Sequence, residues 1–158
     1  MVVETVSPDT TFQFGQSLGR MLRAGDVVCL SGDLGAGKTL LTQGITTGLE
    51  VEEIVTSPTF SLMNIYQGKD ATGAALNIYH FDFYRLESAA ELIDIGFDEY
   101  LSANGLIIIE WPDRFRDYFP DEYLWIEIQA HSDERRQLTL LGYGTRYKKL
   151  CKELNQNR

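Results

Sequence analysis

Residues 32–39 form a glycine-rich segment, G-D-L-G-A-G-K-T, whose residue types and spacing suit phosphate binding. The segment matches G-x-x-x-x-G-K-[ST], in which backbone N–H groups curl around phosphate oxygens at the start of a helix. Lys38 would bring an ammonium group to the β- and γ-phosphates, and Thr39 would place its hydroxyl on Mg²⁺. A glycine-rich turn without a ligand is the weaker alternative, because the segment lies between a predicted strand and a predicted helix. The sequence therefore predicts binding of ATP or ADP with Mg²⁺, through Asp33, Leu34, Gly35, Ala36, Gly37, Lys38, Thr39 and Leu40.

A carboxylate for the metal is predicted at Glu110. This residue ends the apolar run at 106–109, and Mg²⁺ bound to a nucleotide commonly takes one acidic side chain from the end of such a strand. Aspartate is more usual at this position, so the sequence leaves open whether Glu110 contacts the metal directly or through water. A solvated carboxylate at a strand end is the alternative interpretation.

Residues 80–85, H-F-D-F-Y-R, alternate polar and aromatic side chains, so His80, Asp82 and Tyr84 share one face of a strand. Asp82 could orient the attacking water or reach the metal shell, since phosphoryl transfer depends on a positioned nucleophile and on charge neutralisation. The alternative is a hydrogen-bonded pair of Asp82 with His80. We predict Asp82 and Lys38 as the catalytic residues, and disfavour His80 as a metal ligand because no second His or Cys is nearby.

Two further segments have both a structural and a functional interpretation. Thr59, in the bend T-S-P-T-F, either belongs to a turn or senses the γ-phosphate as switch segments do. Trp111, in W-P-D-R after Glu110, lies either in a surface loop or at the rim of the site. We expect four arginine side chains to be solvated, although any of them could touch phosphate. They are Arg114, Arg116, Arg135 and Arg136.

The surrounding pattern predicts an α/β fold. A helix capped near Ser7 and ending at Gly25-Asp26, a strand at 27–30 and an apolar-striped helix at 40–49 place the glycine-rich loop at a strand-to-helix turn. Residues 106–109 are apolar on every side, as in a central strand covered on both faces. Hairpins are predicted at 59–67 with 75–85 and at 123–130 with 137–141, and helices at 88–95, at 98–103 and from about 145. We therefore expect a P-loop NTPase-like three-layer sandwich with a mixed, partly parallel central sheet.

Bulk composition limits the remaining possibilities. The chain of 158 residues is the size of one domain, and no linker divides it, so residues 1–158 are predicted to form a single domain. Two unpaired cysteines, no secretion signal and no apolar run of membrane-spanning length predict a cytoplasmic protein with no membrane contact. A net charge of −9 disfavours unaided binding to nucleic acid, so any contact with nucleic acid would run through a partner.

Four strings in this order, G-D-L-G-A-G-K-T, T-S-P-T-F, H-F-D-F-Y-R and L-I-I-I-E-W-P-D-R, resemble those of the TsaE (YjeE) family of bacterial ATPases. The resemblance implies a part in the threonylcarbamoyladenosine modification of tRNA, with TsaD and TsaB as partners and ATP hydrolysis resetting their complex. It also implies residue roles: Gly35 to Thr39 on phosphates, Thr39 and Glu110 on Mg²⁺, Asp82 in hydrolysis, Thr59 in a switch-like loop, Trp111 beside the active site and Thr11 near the base.

Two other functions are compatible with the same loop. A small-molecule P-loop kinase would need an acceptor pocket and an arginine-bearing lid, neither of which the sequence clearly supplies. A nucleotide-gated binding module would not need hydrolysis. No arginine in the four strings obviously reaches the transferred phosphate, so we expect slow intrinsic ATPase activity.

Overall fold

The computed structural model describes residues 1–58 and 60–157 and contains one mixed sheet of seven strands. The strand order is β1-β7-β6-β2-β5-β4-β3, with β2 parallel to β5 and β6, and β4 parallel to β5. The pairs β1–β7, β6–β7 and β3–β4 are antiparallel. The strands are β1 Val2–Thr5, β2 Val27–Gly32, β3 Met63–Lys69, β4 Ala75–Asp82, β5 Leu106–Glu110, β6 Tyr123–Ala130 and β7 Arg136–Tyr143. Both predicted hairpins and the central strand are confirmed. The strand predicted over 75–85 is wrong beyond Asp82, where β4 ends, and Tyr84 lies in the turn that follows.

Five α-helices and one 3₁₀ helix accompany the sheet in the part of the chain that the structure describes. They are α1 Pro8–Gly19, α2 Lys38–Gly48, α3 Ala89–Asp94, α4 Phe97–Leu101, α5 Thr145–Gln156 and the 3₁₀ helix Asp113–Tyr118. Across residues 1–58 and 60–157, none of these helices has the length and apolar character that crossing a bilayer requires.

The first helix begins where the sequence predicts it and ends earlier. The hydroxyl of Ser7 accepts from the backbone N–H of Thr10 at 3.2 Å, which confirms the cap. The prediction that the helix runs to Gly25-Asp26 is wrong: α1 ends at Gly19. The chain then forms tighter i→i−3 turns, in which the Leu22 N–H donates to the Gly19 carbonyl. These turns leave Leu22 buried without a further α-helical turn.

Side-chain alternation along the central strands divides the core into two layers. Val28 and Leu30 of β2 face one side, where they meet side chains of α1, α2 and α5. Val27 and Cys29 face the other side, with α3, α4 and the 3₁₀ helix. A strand covered on both faces must be apolar at every position, which is why 106–109 contains no polar residue. The predicted three-layer sandwich with a mixed, partly parallel sheet is confirmed.

Close packing of α1 on α2 fixes the helix that follows the glycine-rich loop. Gly15 and Gly44 lie in this contact, and a Cβ at Gly15 would come 2.8 Å from the Leu41 carbonyl oxygen and 3.0 Å from the Cα of Gly44. The absence of side chains lets the two backbones meet directly. The first turn of α2 is thereby held at the carboxyl end of β2.

Candidate active site

The glycine-rich loop connects the end of β2 to the first residue of α2. Gly35 and Gly37 have φ values of 77° and 112°, a left-handed region that side chains disfavour. Gly37 is also the N-cap of α2 and has no side chain to occupy the first backbone N–H groups of the helix. These N–H groups and the positive end of the helix dipole are therefore available to an anion.

Lys38 is buried at the start of α2, and its ammonium group folds back onto the loop. Nζ donates to the carbonyl oxygens of Gly32 at 2.6 Å and Asp33 at 2.8 Å. Burial lowers the pKa of Lys38 from its ordinary 10.5, and nearby carboxylates, chiefly Glu110 and Asp82, oppose that shift. A phosphate anion in the cleft would offer this ammonium a stronger partner than the two neutral carbonyls.

The carboxylate of Glu110 is held between α2 and β4. Its Oε1 accepts from the Thr39 hydroxyl at 3.2 Å, and its Oε2 lies 2.5 Å from Nε2 of His80. The sequence left a pairing of His80 with Asp82 open; the structure instead pairs His80 with Glu110. Glu110 is not a solvated strand-end carboxylate, since only 2% of it is exposed.

Asp82 lies directly beside Glu110, because β4 and β5 are parallel and these two residues are partners in the register. Asp82 is buried; its Oδ2 accepts from the Ser57 hydroxyl and its Oδ1 from the backbone N–H of Tyr84, both at 2.9 Å. The segment that precedes β3 thus contributes Ser57 to the site. Two carboxylates therefore face the end of the loop from adjacent strands.

Trp111 covers the ammonium group of Lys38. The Nζ atom lies 4.0 Å from the indole centroid, and the Tyr84 ring lies 4.8 Å from the same indole. Trp111 has a φ of 59°, an uncommon conformation for a bulky residue. Its backbone N–H donates to the Leu30 carbonyl at 3.2 Å, which holds this turn against β2. Trp111 therefore lies at the rim of the site.

These residues surround a cleft of about 310 Å³. Its lining includes Leu34, Gly35, Gly37, Lys38, Thr39, Leu40, Asp82, Glu110 and Trp111. Elements far apart in sequence supply one wall each: the loop and α2, the end of β4, and the end of β5. The cleft joins a cation, a helix N-terminus, a hydroxyl and two carboxylates, which is the chemistry that a magnesium–nucleotide complex requires.

Comparison with known proteins identifies the family of this chain. The family model described as Threonylcarbamoyl adenosine biosynthesis protein TsaE matches residues 5–138. The chain belongs to the TsaE family. The TsaE protein of Bacillus subtilis (strain 168), named tRNA threonylcarbamoyladenosine biosynthesis protein TsaE, is 38% identical over 153 residues, which cover 97% of this chain and 92% of the relative.

Further TsaE relatives and a solved structure extend the match. The TsaE protein of Treponema pallidum (strain Nichols) is 37% identical over 134 residues, or 85% of this chain and 95% of the relative. The crystal structure of YdiB from Bacillus subtilis superposes with a TM-score of 0.81 at 34% identity and covers 99% of this chain and 95% of that one. The fold is therefore the TsaE fold, a P-loop NTPase-like arrangement.

The oxygen donors of this TsaE family member fit Mg²⁺. Thr39 and Glu110 supply hard oxygen atoms, the ligand type that Mg²⁺ prefers. Residues 1–58 and 60–157 contain no group of three or more His, Cys, Asp or Glu side chains that could bind a metal ion without other ligands. A cation here would need phosphate oxygens and waters to complete its shell, as magnesium–nucleotide sites do.

Four predicted nucleotide contacts lie outside this cleft or outside the described residues. Asp33 and Ala36 belong to the glycine-rich loop but line a neighbouring cleft. Thr11 is buried in α1, where its hydroxyl hydrogen-bonds to that of Thr5 at 2.6 Å. Its predicted position near the base stays a prediction, without an exposed hydroxyl to support it. Thr59 lies outside the residues that the structure describes, so its switch-like role also stays a prediction.

Arg136 contacts the glycine-rich loop in a way that sequence reasoning did not single out. Its Nε donates to the Ala36 carbonyl at 2.7 Å, and its Nη1 donates to the Ser132 carbonyl at 2.8 Å. The other arginines engage other groups: Arg114 donates to the Leu86 carbonyl and Arg116 to the Tyr123 hydroxyl. No local signal separated Arg136 from its neighbour Arg135, because only the pairing of β7 in the sheet brings it to the loop.

Proposed function

We propose that this protein binds ATP with Mg²⁺ in the cleft between α2, β4 and β5 and hydrolyses it slowly in support of tRNA threonylcarbamoyladenosine biosynthesis. The observation that carries the proposal is the convergence of Lys38, Thr39, Glu110 and Asp82 on one cleft. The family membership and the names of the relatives support the pathway. The cytoplasmic location and the single-domain organisation stay predictions from the sequence.

Each group in the cleft would have a distinct role. Backbone N–H groups at 35–39 and the Lys38 ammonium would bind the phosphates, and Thr39 with Glu110 would hold Mg²⁺ directly or through water. The metal, when bound, would neutralise charge on the phosphate oxygens. Asp82 would orient a water molecule toward the terminal phosphate, and its contacts with Ser57 and the Tyr84 N–H would fix that orientation.

Slow turnover by the isolated protein fits the contacts of its arginines. Arg114 and Arg136 lie near the site, but both donate to backbone carbonyls. An arginine that reaches the transferred phosphate raises turnover by about 10³- to 10⁵-fold in related ATPases and GTPases. We therefore propose that partner proteins of the TsaD and TsaB type complete or reset the cycle, and that tRNA meets this protein only through them.

Calorimetry and turnover assays test this function. ADP or ATP added with Mg²⁺ should release heat that fits one site, and turnover should lie well below the roughly 1–100 per second of kinases. Addition of TsaB and TsaD should form a stable complex and raise ATP turnover. A folded protein that gives no heat with either nucleotide in the presence of Mg²⁺ would overturn the proposal.

A larger neighbouring cleft keeps the small-molecule kinase as a second candidate. This cleft of about 880 Å³ shares Leu34, Tyr84 and Trp111 with the phosphate cleft and is also lined by Glu127 and His131. For a kinase, this cleft would be the acceptor pocket that the sequence did not reveal. ADP formation measured with and without candidate nucleosides distinguishes the two, because a kinase would give acceptor-dependent turnover and a phosphorylated product.

A further inference from the structure

A buried histidine on β4 is hydrogen-bonded to the predicted metal ligand. His80 and Glu110 are 0% and 2% exposed, and 2.5 Å separates Nε2 of His80 from Oε2 of Glu110. None of the steps proposed above uses His80. A polar group this deeply buried is costly unless its hydrogen bonds are satisfied, so the contact is a strong constraint on both side chains.

The two oxygens of Glu110 have different partners. Oε2 faces His80, and Oε1 accepts a hydrogen bond from the Thr39 hydroxyl. Because the Thr39 hydroxyl donates its only proton to Glu110, its lone pairs are left for a cation. Hydrogen bonds therefore connect His80 on β4, Glu110 on β5 and Thr39 in the first turn of α2.

The surroundings of the imidazole indicate which nitrogen carries the proton. Nδ1 is buried and has no hydrogen-bond partner among the described residues. An N–H at Nδ1 would be a buried donor without an acceptor, whereas an N–H at Nε2 has the Glu110 carboxylate. The favoured tautomer therefore has its proton on Nε2, where the N–H donates a hydrogen bond to the Glu110 carboxylate.

We propose that His80 is a positioning residue for the magnesium ligand. By holding Oε2 it fixes the rotamer of Glu110, and Oε1 then faces Thr39 and the metal side of the cleft. The inference rests on the proposed function, because Mg²⁺ would arrive there with the nucleotide. Hydrogen bonds of this kind, from a second side chain to a metal ligand, typically change metal affinity by about 10- to 100-fold.

A purely structural role for His80 makes a different prediction. If His80 only satisfied a buried carboxylate, its loss would lower the melting temperature without changing how strongly Mg²⁺ assists nucleotide binding. If His80 orients Glu110, its loss must reduce that assistance specifically. The decisive quantity is the ratio of ADP affinity with Mg²⁺ to ADP affinity in EDTA, measured on the full-length chain.

Two substitutions of similar polarity form a matched pair. In His80→Gln the side-chain nitrogen falls near the position of Nε2 and still reaches Glu110. In His80→Asn it falls near the position of Nδ1, short of Glu110. We expect the ratio to fall about 10- to 100-fold in His80→Asn, with ADP affinity in EDTA unchanged, and to stay within about threefold of wild type in His80→Gln.

The affinity ratios of the two variants test the positioning role of His80 directly. A His80→Asn protein with the wild-type ratio, or an equal loss in both variants, overturns the positioning role. A wild-type protein that binds no ADP with Mg²⁺ overturns the proposed function and this inference together, so the two failures are distinguishable.

A measurement on the wild type needs no variant to fold. The chain has two histidines, so ¹⁵N-histidine NMR resolves His80 once His131 is assigned by substitution. We expect an Nε2–H tautomer whose signals shift when Mg²⁺ is added to the ADP-bound protein. An Nδ1–H tautomer, or signals that Mg²⁺ leaves unchanged, would overturn the proposal.

Discussion

Arg136 donates from Nε to the backbone carbonyl of Ala36 at 2.7 Å, so the first residue of β7 contacts the middle of the glycine-rich loop. The same guanidinium donates to the carbonyls of Ser132 and Arg135, at 2.8 and 2.9 Å. The loop is therefore tied to the turn between β6 and β7. A loop that must present several N–H groups to one ligand gains affinity from such a fixed conformation.

Replacing Arg136 should weaken nucleotide binding without unfolding the protein. We expect Arg136→Ala to lower ADP affinity about 3- to 10-fold, since one hydrogen bond at a half-buried site contributes about 1 kcal/mol. Calorimetric titration with Mg²⁺ measures the change. Arg135→Ala is the matched control, because this exposed neighbour should leave the affinity unchanged; an equal loss in both variants would argue against a role for the Ala36 contact.

Lys38 should matter for ligand binding and not for stability. Burial lowers its pKa below 10.5, so the charged form is less favourable in the folded protein than in the unfolded chain. Lys38→Met removes that cost, and we expect a melting temperature at or above that of wild type. ADP affinity and ATP turnover should both fall by about 100-fold or more, because the phosphates lose their cation. Unchanged calorimetric affinity would contradict the proposed site.

Asp82 should separate hydrolysis from binding. Asp82→Asn keeps the size of the side chain and removes its charge, so we expect turnover to fall about 100-fold or more while ADP affinity stays within about threefold. Steady-state turnover and calorimetry measure the two effects. Asp94→Asn, at an exposed position of α3, serves as the control. Turnover retained in Asp82→Asn would contradict a catalytic role for Asp82. Lost turnover with partner function intact in cells would favour the binding-module alternative.

Trp111 should report nucleotide binding through its fluorescence. Its ring lies 4.0 Å from the Lys38 ammonium, which is expected to turn toward phosphate when a nucleotide binds. We therefore predict a change in emission on titration with ADP and Mg²⁺. The chain has two tryptophans, so Trp111→Phe leaves Trp125 as an internal control whose emission should stay constant. A full response in Trp111→Phe would show that the signal comes from elsewhere.

Tyr147 should make the fold sensitive to alkaline pH. Its hydroxyl oxygen accepts from the buried backbone N–H of Val27 at 2.9 Å, and burial, followed by the Asp26 carboxylate, raises its pKa above the ordinary 10.0. The folded state therefore holds this proton more tightly than the unfolded chain. The resulting stability is present below pH 10 and is lost as the pH rises above 10.

Urea unfolding of Tyr147→Phe measures this contribution. Near neutral pH the variant should be less stable by about 1–3 kcal/mol, because the Val27 N–H loses its acceptor. Its loss of stability above pH 10 should be shallower than that of wild type. Tyr118→Phe, at an exposed position, should behave as wild type in both respects. An alkaline loss that is identical in Tyr147→Phe and wild type would contradict this assignment.

The sequence by itself determined the parts of this protein that depend on neighbours along the chain. The spacing of Gly37, Lys38 and Thr39 is local chemistry, and it predicted a phosphate-binding loop at a strand-to-helix turn. The unbroken apolar run at 106–109 predicted a central strand, because a strand covered on both faces admits no polar side chain. Glu110 and Asp82 were predicted because each lies at or near the end of a patterned strand.

Only the tertiary structure decided which of these residues touch. His80 meets Glu110 because β4 and β5 are adjacent and parallel, and Arg136 meets Ala36, 100 positions away, because β7 lies in the same sheet. Strand periodicity fixes the face of a side chain and leaves strand order and register open. The physical reason is that burial of apolar surface over the whole chain selects that order, so a contact across the sheet has no signature in either segment alone.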